Sequence, residues 1–113
     1  MSSLHRAALA ASLAIVLVAA GCGSSESSEP VATTKVKMAK SYVFEPKTIE
    51  VEAGQTVTFT NDDNFTHTVQ VDGQEDHKVE QDESVSIAFD TPGTYHYVCT
   101  LHRQNMDGEV IVK

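Results

Sequence analysis

The sequence predicts an all-β domain, an antiparallel sandwich or barrel built from several short strands. After Thr34, apolar and polar residues alternate with a period of two, and the alternating runs contain Thr, Val, Ile, Tyr and Phe, which favour half-buried strands. Turn-forming pairs separate these runs, for example Ala53-Gly54, Asp72-Gly73 and Pro92-Gly93. No window shows a sustained helical repeat, so the pattern indicates strands joined by short turns.

The first 21 residues predict a secretory signal that lies outside this domain. His5 and Arg6 precede an apolar run at 7–20 that ends in small residues, and this run is shorter than the roughly 20 residues of a membrane-spanning helix. The segment Val18-Ala19-Ala20-Gly21-Cys22 resembles the lipobox of bacterial and archaeal lipoproteins. That resemblance implies a lipid on Cys22, which becomes the first mature residue. The alternative is an ordinary cleaved signal that leaves Cys22 as an unmodified thiol.

Residues 22–34 predict a lipidated cysteine followed by a flexible tether. Most of them are Ser, Glu and Gly, and such a composition buries too little apolar surface to fold. Residues 35–113 are then the predicted folded domain. Together, the signal and the lipid predict an exported protein anchored to a membrane, on the outer face of the cell membrane or in the periplasm.

Each predicted strand is marked by residues of one parity that should face the core. In chain order these residues are Val36 and Met38; Ile49 and Val51; Val57 and Phe59; His67, Val69 and Val71; Val85, Ile87 and Phe89; Tyr95, Tyr97 and Cys99; and Val110 and Val112. Tyr95 directly follows a Pro-Gly turn, so it is either a tyrosine corner of a Greek-key sandwich or a simple core residue. The polar residues 74–78 predict an exposed loop that contains His77.

The charge balance narrows the range of partners. The chain carries 16 Asp and Glu against 8 Lys and Arg, a formal net charge of −8. An acidic surface repels nucleic acid and favours basic partners. The same balance is also consistent with solubility alone or with adaptation to high salt.

Cys99 is the residue that points most directly to a metal. If Cys22 carries a lipid, Cys99 has no partner for a disulfide, and an unpaired cysteine in an exported protein requires an explanation. Cys99, His102 and Met106 lie within eight residues, in a predicted loop between two strands. A thiolate, an imidazole and a thioether form a soft donor set that favours copper.

A fourth ligand must come from another part of the chain, and His67 is the candidate. It begins a predicted strand after the polar loop 61–64, and it can reach the site if both loops lie at the same end of the sandwich. Two imidazoles, one thiolate and a long thioether bond are typical of a blue-copper electron-transfer site. Because every ligand position is filled, the set argues against hydrolysis or oxygen chemistry. Met106 has the alternative of simple core packing.

Three other residues with ligand-type side chains are not predicted to bind the metal. His96 has the opposite parity to Cys99 on one predicted strand, so it should point away from the metal. His77 is assigned to the exposed loop, and Met38 to the core.

Two segments resemble the small blue copper proteins, the cupredoxins, and together they cover nearly all of residues 35–113. The first is Phe44-x-Pro46-x-x-Ile49-x-Val51-x-x-Gly54-x-x-Val57-x-Phe59-x-Asn61, followed by His67-Thr68-Val69. The second, similar to the plastocyanin, amicyanin and pseudoazurin group, is Gly93-Thr94-Tyr95-x-Tyr97-x-Cys99-x-x-His102 with Met106-x-Gly108-x-Val110. The resemblance implies an antiparallel Greek-key β-sandwich with one copper ion at one end. It also implies that His67, Cys99, His102 and Met106 are the ligands, and that His102 is the electron port near the surface.

The sequence departs from these relatives at two points. Three residues separate His102 from Met106, whereas amicyanin-like loops have two there and plastocyanin-like loops have four. Thr68 follows the first histidine where many relatives carry Asn. That Asn helps to tie the ligand loops together, so Thr68 is expected to do so only partly.

These observations predict a monomeric type 1 copper protein that passes single electrons between a donor and an acceptor redox protein while a lipid anchors it to a membrane. The alternative is a copper-handling module, either a chaperone or a storage protein. A third reading is a binding module that keeps the sandwich without a metal. An enzyme is not expected, because multicopper oxidases and nitrite reductases need more copper sites and domains than this chain can hold.

Overall fold

The computed structural model describes residues 29–113, which form strands and turns and no helix. The predicted signal 1–21, Cys22 and the first part of the tether lie outside the described residues. The ten strands are β1 Val31–Ala32, β2 Lys35–Ala39, β3 Val43–Glu45, β4 Thr48–Val51, β5 Gln55–Asn61, β6 His67–Val71, β7 Asp76–Val79, β8 Ser84–Phe89, β9 Gly93–Val98 and β10 Asp107–Val112. Within residues 29–113, no helix has the length and apolarity needed to cross a membrane.

The strands form two sheets, which confirms the all-β prediction. One sheet has six strands in the order β1-β4-β10-β9-β6-β7, and the other has four in the order β3-β2-β5-β8. The pairs β1–β4, β4–β10 and β2–β5 are parallel, and the remaining pairs are antiparallel. The antiparallel prediction missed these three pairs. The parallel pair β2–β5 arises because the chain crosses to the other sheet through β4 before it returns.

The core lies between the two sheets and contains residues that the alternation in the sequence predicted to face inward. Those with 3% exposure or less include Val36, Met38, Ile49, Val51, Val57, Phe59, Val69, Val71, Tyr97, Val110 and Val112. Phe44, Phe59 and Tyr97 pack edge to face, with ring centroids 4.8–6.3 Å apart. Full burial of each large apolar side chain stabilises the fold by about 1.5–3 kcal/mol.

Tyr95 combines the two roles that its sequence position left open. Its hydroxyl donates a hydrogen bond of 2.7 Å to the Thr91 carbonyl oxygen, which is the bond of a tyrosine corner. Its ring also packs against Phe89, with the centroids 5.3 Å apart.

Three strands, β1, β3 and β7, lie where the sequence predicted none. Val31–Ala32 pairs with β4 inside the range assigned to the tether, so ordered structure begins before Lys35. β7 pairs with β6 where an exposed loop was expected, so the loop assignment of His77 is wrong. All three are edge strands of two to four residues, and runs this short do not show the alternation that marks the longer inner strands.

Candidate metal centre

His67, Cys99 and His102 bring one ligand atom each to a common point. These three atoms lie within 4.8 Å of one another, and no other such group of His, Cys, Asp and Glu occurs in residues 29–113. His67 is the first residue of β6, and Cys99 directly follows β9. Because β6 and β9 are antiparallel neighbours, the start of one and the end of the other lie at the same end of the sheet. This geometry confirms the expectation that the two loops meet.

Both histidines turn the same ring nitrogen toward the thiol. Cys99 Sγ lies 3.8 Å from His67 Nδ1 and 3.5 Å from His102 Nδ1. Cys99 and His67 are fully buried, whereas His102 is partly exposed. A buried thiol between two imidazole nitrogens is a donor set that suits copper, because the ion can replace the thiol proton and hold all three atoms.

The loop that carries Cys99 and His102 is closed by backbone hydrogen bonds. The His102 amide donates to the Cys99 carbonyl oxygen at 3.0 Å, and the Met106 amide donates to the His102 carbonyl oxygen at 3.0 Å. The Cys99 amide then donates to the Met106 carbonyl oxygen at 2.9 Å. Met106 is fully buried beside the thiol-bearing residue, a position that suits both a thioether ligand and a packing residue.

Asp63 fixes the ring of His67 from the side opposite the thiol. Its Oδ2 atom lies 2.8 Å from His67 Nε2, and both side chains are buried. The hydrogen bond from His67 holds the pKa of Asp63 below its usual value. With its proton on Nε2, the ring keeps the Nδ1 lone pair free for a metal. Metal-binding histidines commonly use such a carboxylate.

Asn61 holds the loop that contains Asp63. Its Nδ2 group donates to the carbonyl oxygens of Phe65 at 2.8 Å and Val79 at 2.9 Å. Its Oδ1 atom accepts from the Asp63 amide at 2.9 Å. Both polar atoms of the buried amide therefore have partners, and the amide sets the path of the chain before His67. Neither Asn61 nor Asp63 was predicted to be a site residue, although an acid four residues before a candidate histidine was an available signal.

Thr68 ties the two ligand loops together through its amide and its hydroxyl. Its amide donates to Cys99 Sγ at 3.3 Å. Its Oγ1 atom accepts from the Thr100 amide at 2.6 Å and lies 2.7 Å from the Thr100 hydroxyl oxygen. Thr100 thus adds a second hydroxyl to the tie.

Tyr42 covers the exposed face of the site. Its ring centroid lies 4.4 Å from that of His102 and 5.7 Å from that of Phe65. Tyr42 and Ser41 form the turn between β2 and β3 with φ of +59° and +74°, a left-handed conformation that costs a non-glycine residue about 1–2 kcal/mol. Phe65 and Leu101 are 56% and 57% exposed at this end.

The remaining candidate ligands lie elsewhere, as expected for His96 and Met38. His96 Nε2 lies 3.1 Å from Asp107 Oδ2, away from Cys99. Met38 is fully buried in the core. His77 lies half-buried on β7, with Nε2 3.8 Å from Glu75, and does not reach the site.

Comparisons with known proteins agree with this geometry. A family model described as the cupredoxin-like domain matches residues 10–112. Amicyanin-alpha of Methylorubrum extorquens is 34% identical, over 95% of this chain and 94% of the relative. The chloroplastic plastocyanin of Physcomitrium patens is 35% identical, over 99% of this chain and 71% of the relative. A reduced-state structure of an amicyanin mutant, 28% identical, superposes with a TM-score of 0.66 over 78% of this chain and 95% of that one.

Proposed function

The chain belongs to the cupredoxin-like family, and from this premise we propose that it is a type 1 copper protein that carries single electrons between redox partners. The observation that supports the proposal most is the convergence of His67 Nδ1, Cys99 Sγ and His102 Nδ1 within 4.8 Å. One copper ion is the cofactor. Bound there, it supplies a one-electron couple between Cu(I) and Cu(II).

His67, Cys99 and His102 are the proposed strong ligands, and Met106 is the proposed weak fourth. Strands β6 and β9 hold His67 and Cys99 from a paired sheet, and Asp63 and Thr68 restrain them further. A site with so little freedom changes its geometry little when its charge changes, and this favours fast electron transfer. The complete burial of Cys99 and His67 also disfavours a chaperone that hands copper to another protein.

His102 is the proposed port for electrons. It is the only partly exposed member of the three-residue cluster. Tyr42 packs on its ring, and the exposed side chains of Phe65 and Leu101 lie close by. A small apolar surface around a ligand edge allows a donor or an acceptor protein to approach the site closely and to leave again.

The membrane attachment is proposed from the sequence. Residues 1–21 direct export, Cys22 carries a lipid, and the residues after it tether the domain to the outer face of the cell membrane or within the periplasm. Cys22→Ala is expected to move the protein from the membrane fraction to the soluble fraction of its host. If the variant stays with the membrane, the lipid anchor is wrong.

The spectrum of the copper-loaded protein tests the electron-carrier function. We expect an intense visible charge-transfer band from the Cys99 thiolate to Cu(II), a small copper hyperfine splitting in the EPR spectrum and a reversible one-electron wave. Cys99→Ser should abolish the band, whereas Cys22→Ser, the matched control, should keep it. A wild-type protein without the band contradicts the proposal. Rapid loss of copper to a chelator without a redox wave would instead favour copper handling.

A further inference from the structure

We propose that Asp76, an exposed carboxylate outside the ligand set, is a positioning residue that controls how many hydrogen bonds the Cys99 sulfur receives. The inference rests on the proposed copper function and adds to it a residue that tunes the site. Asp76 is the first residue of β7 and pairs with Gln70 of β6. It therefore lies beside the loop that follows Cys99, although it is distant in sequence.

A short chain of hydrogen bonds connects this carboxylate with the site. Asp76 Oδ2 lies 2.6 Å from Thr100 Oγ1. Thr100 Oγ1 lies 2.7 Å from Thr68 Oγ1. Thr68 Oγ1 in turn lies 3.7 Å from Cys99 Sγ. Three side chains thus lead from solvent to the sulfur.

The number of available protons determines which group donates in each of these hydrogen bonds. A carboxylate only accepts, and each hydroxyl donates a single proton. The Thr100 hydroxyl therefore donates to Asp76, and its oxygen is left to accept from Thr68. The Thr68 hydroxyl has the Thr100 oxygen at 2.7 Å and Cys99 Sγ at 3.7 Å, and the shorter bond, which the charge at Asp76 strengthens, takes the proton.

The sulfur is left with one well-formed hydrogen bond. This is the bond from the Thr68 amide at 3.3 Å, since the Thr68 hydroxyl points toward Thr100. Hydrogen bonds to a ligand thiolate stabilise the negative charge on sulfur, weaken its donation to the metal and favour the reduced ion. By directing the hydroxyl protons away from Cys99, Asp76 keeps the thiolate a strong donor.

Loss of the Asp76 carboxylate should reverse the direction of these hydrogen bonds. In Asp76→Ala the Thr100 hydroxyl is free to donate to Thr68 Oγ1, and the Thr68 hydroxyl is free to donate to Cys99 Sγ. Thr100→Val should have the same result, because it removes the Thr100 oxygen that accepts the Thr68 proton. The Thr68 hydroxyl is then left with Cys99 Sγ as its acceptor. Thr100→Val changes no charge, so the two variants separate hydrogen bonding from the Coulomb effect of a lost carboxylate.

The test is the midpoint potential and the Cu–S stretching frequency of the copper-loaded full chain. We expect Asp76→Ala and Thr100→Val each to shift the equilibrium with a fixed redox partner about tenfold toward Cu(I), the low end for a hydrogen bond to a charged group. That shift corresponds to about 59 mV for a one-electron couple. The Cu–S frequency should fall in both variants.

Glu75→Ala is the matched control, because it removes a neighbouring carboxylate whose side chain is 83% exposed and is directed toward His77. Its shift should be less than about twofold, since exposed charges are well screened. In the Thr100→Val background, Asp76→Ala should add no more than Glu75→Ala does. Equal shifts for Asp76→Ala and Glu75→Ala, or an unchanged Cu–S frequency in Thr100→Val, would overturn the proposal.

A measurement without copper keeps this inference separate from the proposed function. In the metal-free protein, the bond to Asp76 should slow exchange of the Thr100 hydroxyl proton enough for its NMR signal to be seen. Asp76→Ala should remove that signal, and Glu75→Ala should keep it. A wild-type hydroxyl that exchanges as fast as in the variant contradicts the chain, whatever the copper spectrum shows. A missing charge-transfer band with a protected Thr100 hydroxyl would instead contradict only the copper function.

Discussion

His67 and His102 lie on two loops that the fold supports in different ways. The loop before His67, residues 61–67, is held by buried side chains, with Asn61 bonded to three backbone groups and Asp63 bonded to the ligand ring. The loop of residues 99–106 is held at Thr100 by side-chain bonds to Thr68 and Asp76, and beyond Thr100 by bonds between its own backbone groups. The first histidine is fully buried, and the second is partly exposed under Tyr42.

The difference shows where substitutions are costly. A loop held by particular side chains loses its shape when one of them is replaced, whereas backbone bonds survive a change of side chain. Asn61 and Asp63 should therefore tolerate little substitution, and the exposed positions of residues 99–106 should tolerate much. This contrast also suits the proposed roles, because a buried ligand keeps the site rigid while a partly exposed one meets partners.

Asn61→Ala should produce the largest loss. The substitution leaves the carbonyl oxygens of Phe65 and Val79 and the amide of Asp63 without their partner. Unsatisfied buried groups cost about 1–3 kcal/mol each, and partial access of water reduces the sum. We expect the free energy of unfolding of the metal-free protein to fall by about 3 kcal/mol in denaturant titrations.

Asn105→Ala is the matched control on the other loop. Asn105 is exposed, and its backbone amide donates to the His102 carbonyl oxygen. The substitution to Ala keeps this backbone bond. The free energy of unfolding should change by less than about 0.5 kcal/mol. Similar losses for the two variants would remove the contrast between the loops.

Asp63→Asn should have the next largest effect, on metal affinity. An amide holds the His67 ring less firmly than a carboxylate and raises its basicity less, so copper affinity should fall by about 10–100-fold in competition with a chelator. Asp62→Asn removes a neighbouring exposed carboxylate, which contacts Lys37 at 3.9 Å, and should change the affinity less than twofold. An affinity in Asp63→Asn that matches the control would show that Asp63 does not support the ligand.

The sequence predicted the parts of the molecule that depend on local patterns. Period-two alternation identified the inward-facing residues of the inner strands, and soft donors within one short loop identified Cys99 and His102. The same parity correctly removed His96 from the ligand set. These features follow from residue types at fixed spacing, and such spacing survives folding unchanged.

The missed features depend on contacts between distant residues or on unusual backbone. Asp76 reaches Thr100 only because β7 adds to the sheet beside β6, and nothing local marks it. Asn61 was read as a turn residue because Asn often occurs in turns, yet it is buried. The left-handed turn at Ser41 and Tyr42 contains no glycine or asparagine, the residues from which such a turn is usually predicted.

Met106→Leu tests whether Met106, in the second loop, is a copper ligand or only a packing residue. Leu conserves volume, so the free energy of unfolding of the metal-free protein should change by less than about 1.5 kcal/mol. If Met106 is the weak fourth ligand, loss of its thioether should raise the midpoint potential and alter the EPR spectrum of the copper form. Unchanged spectra with an unchanged potential would assign Met106 to packing alone.

The turn that places Tyr42 over His102 offers the smallest and most specific test of how the exposed histidine is held. Ser41→Gly removes a left-handed serine whose side chain is exposed, and it should raise the free energy of unfolding by about 1 kcal/mol. Tyr42→Gly relieves a similar strain but also removes the ring contacts with His102 and Phe65, which are worth about 0.5–1.5 kcal/mol. The ring also packs against the core and against His67, so the free energy of unfolding should fall by about 1 kcal/mol relative to the wild type. If Tyr42→Gly is instead as stable as Ser41→Gly, the stacked ring contributes nothing, and His102 is held by its own loop alone.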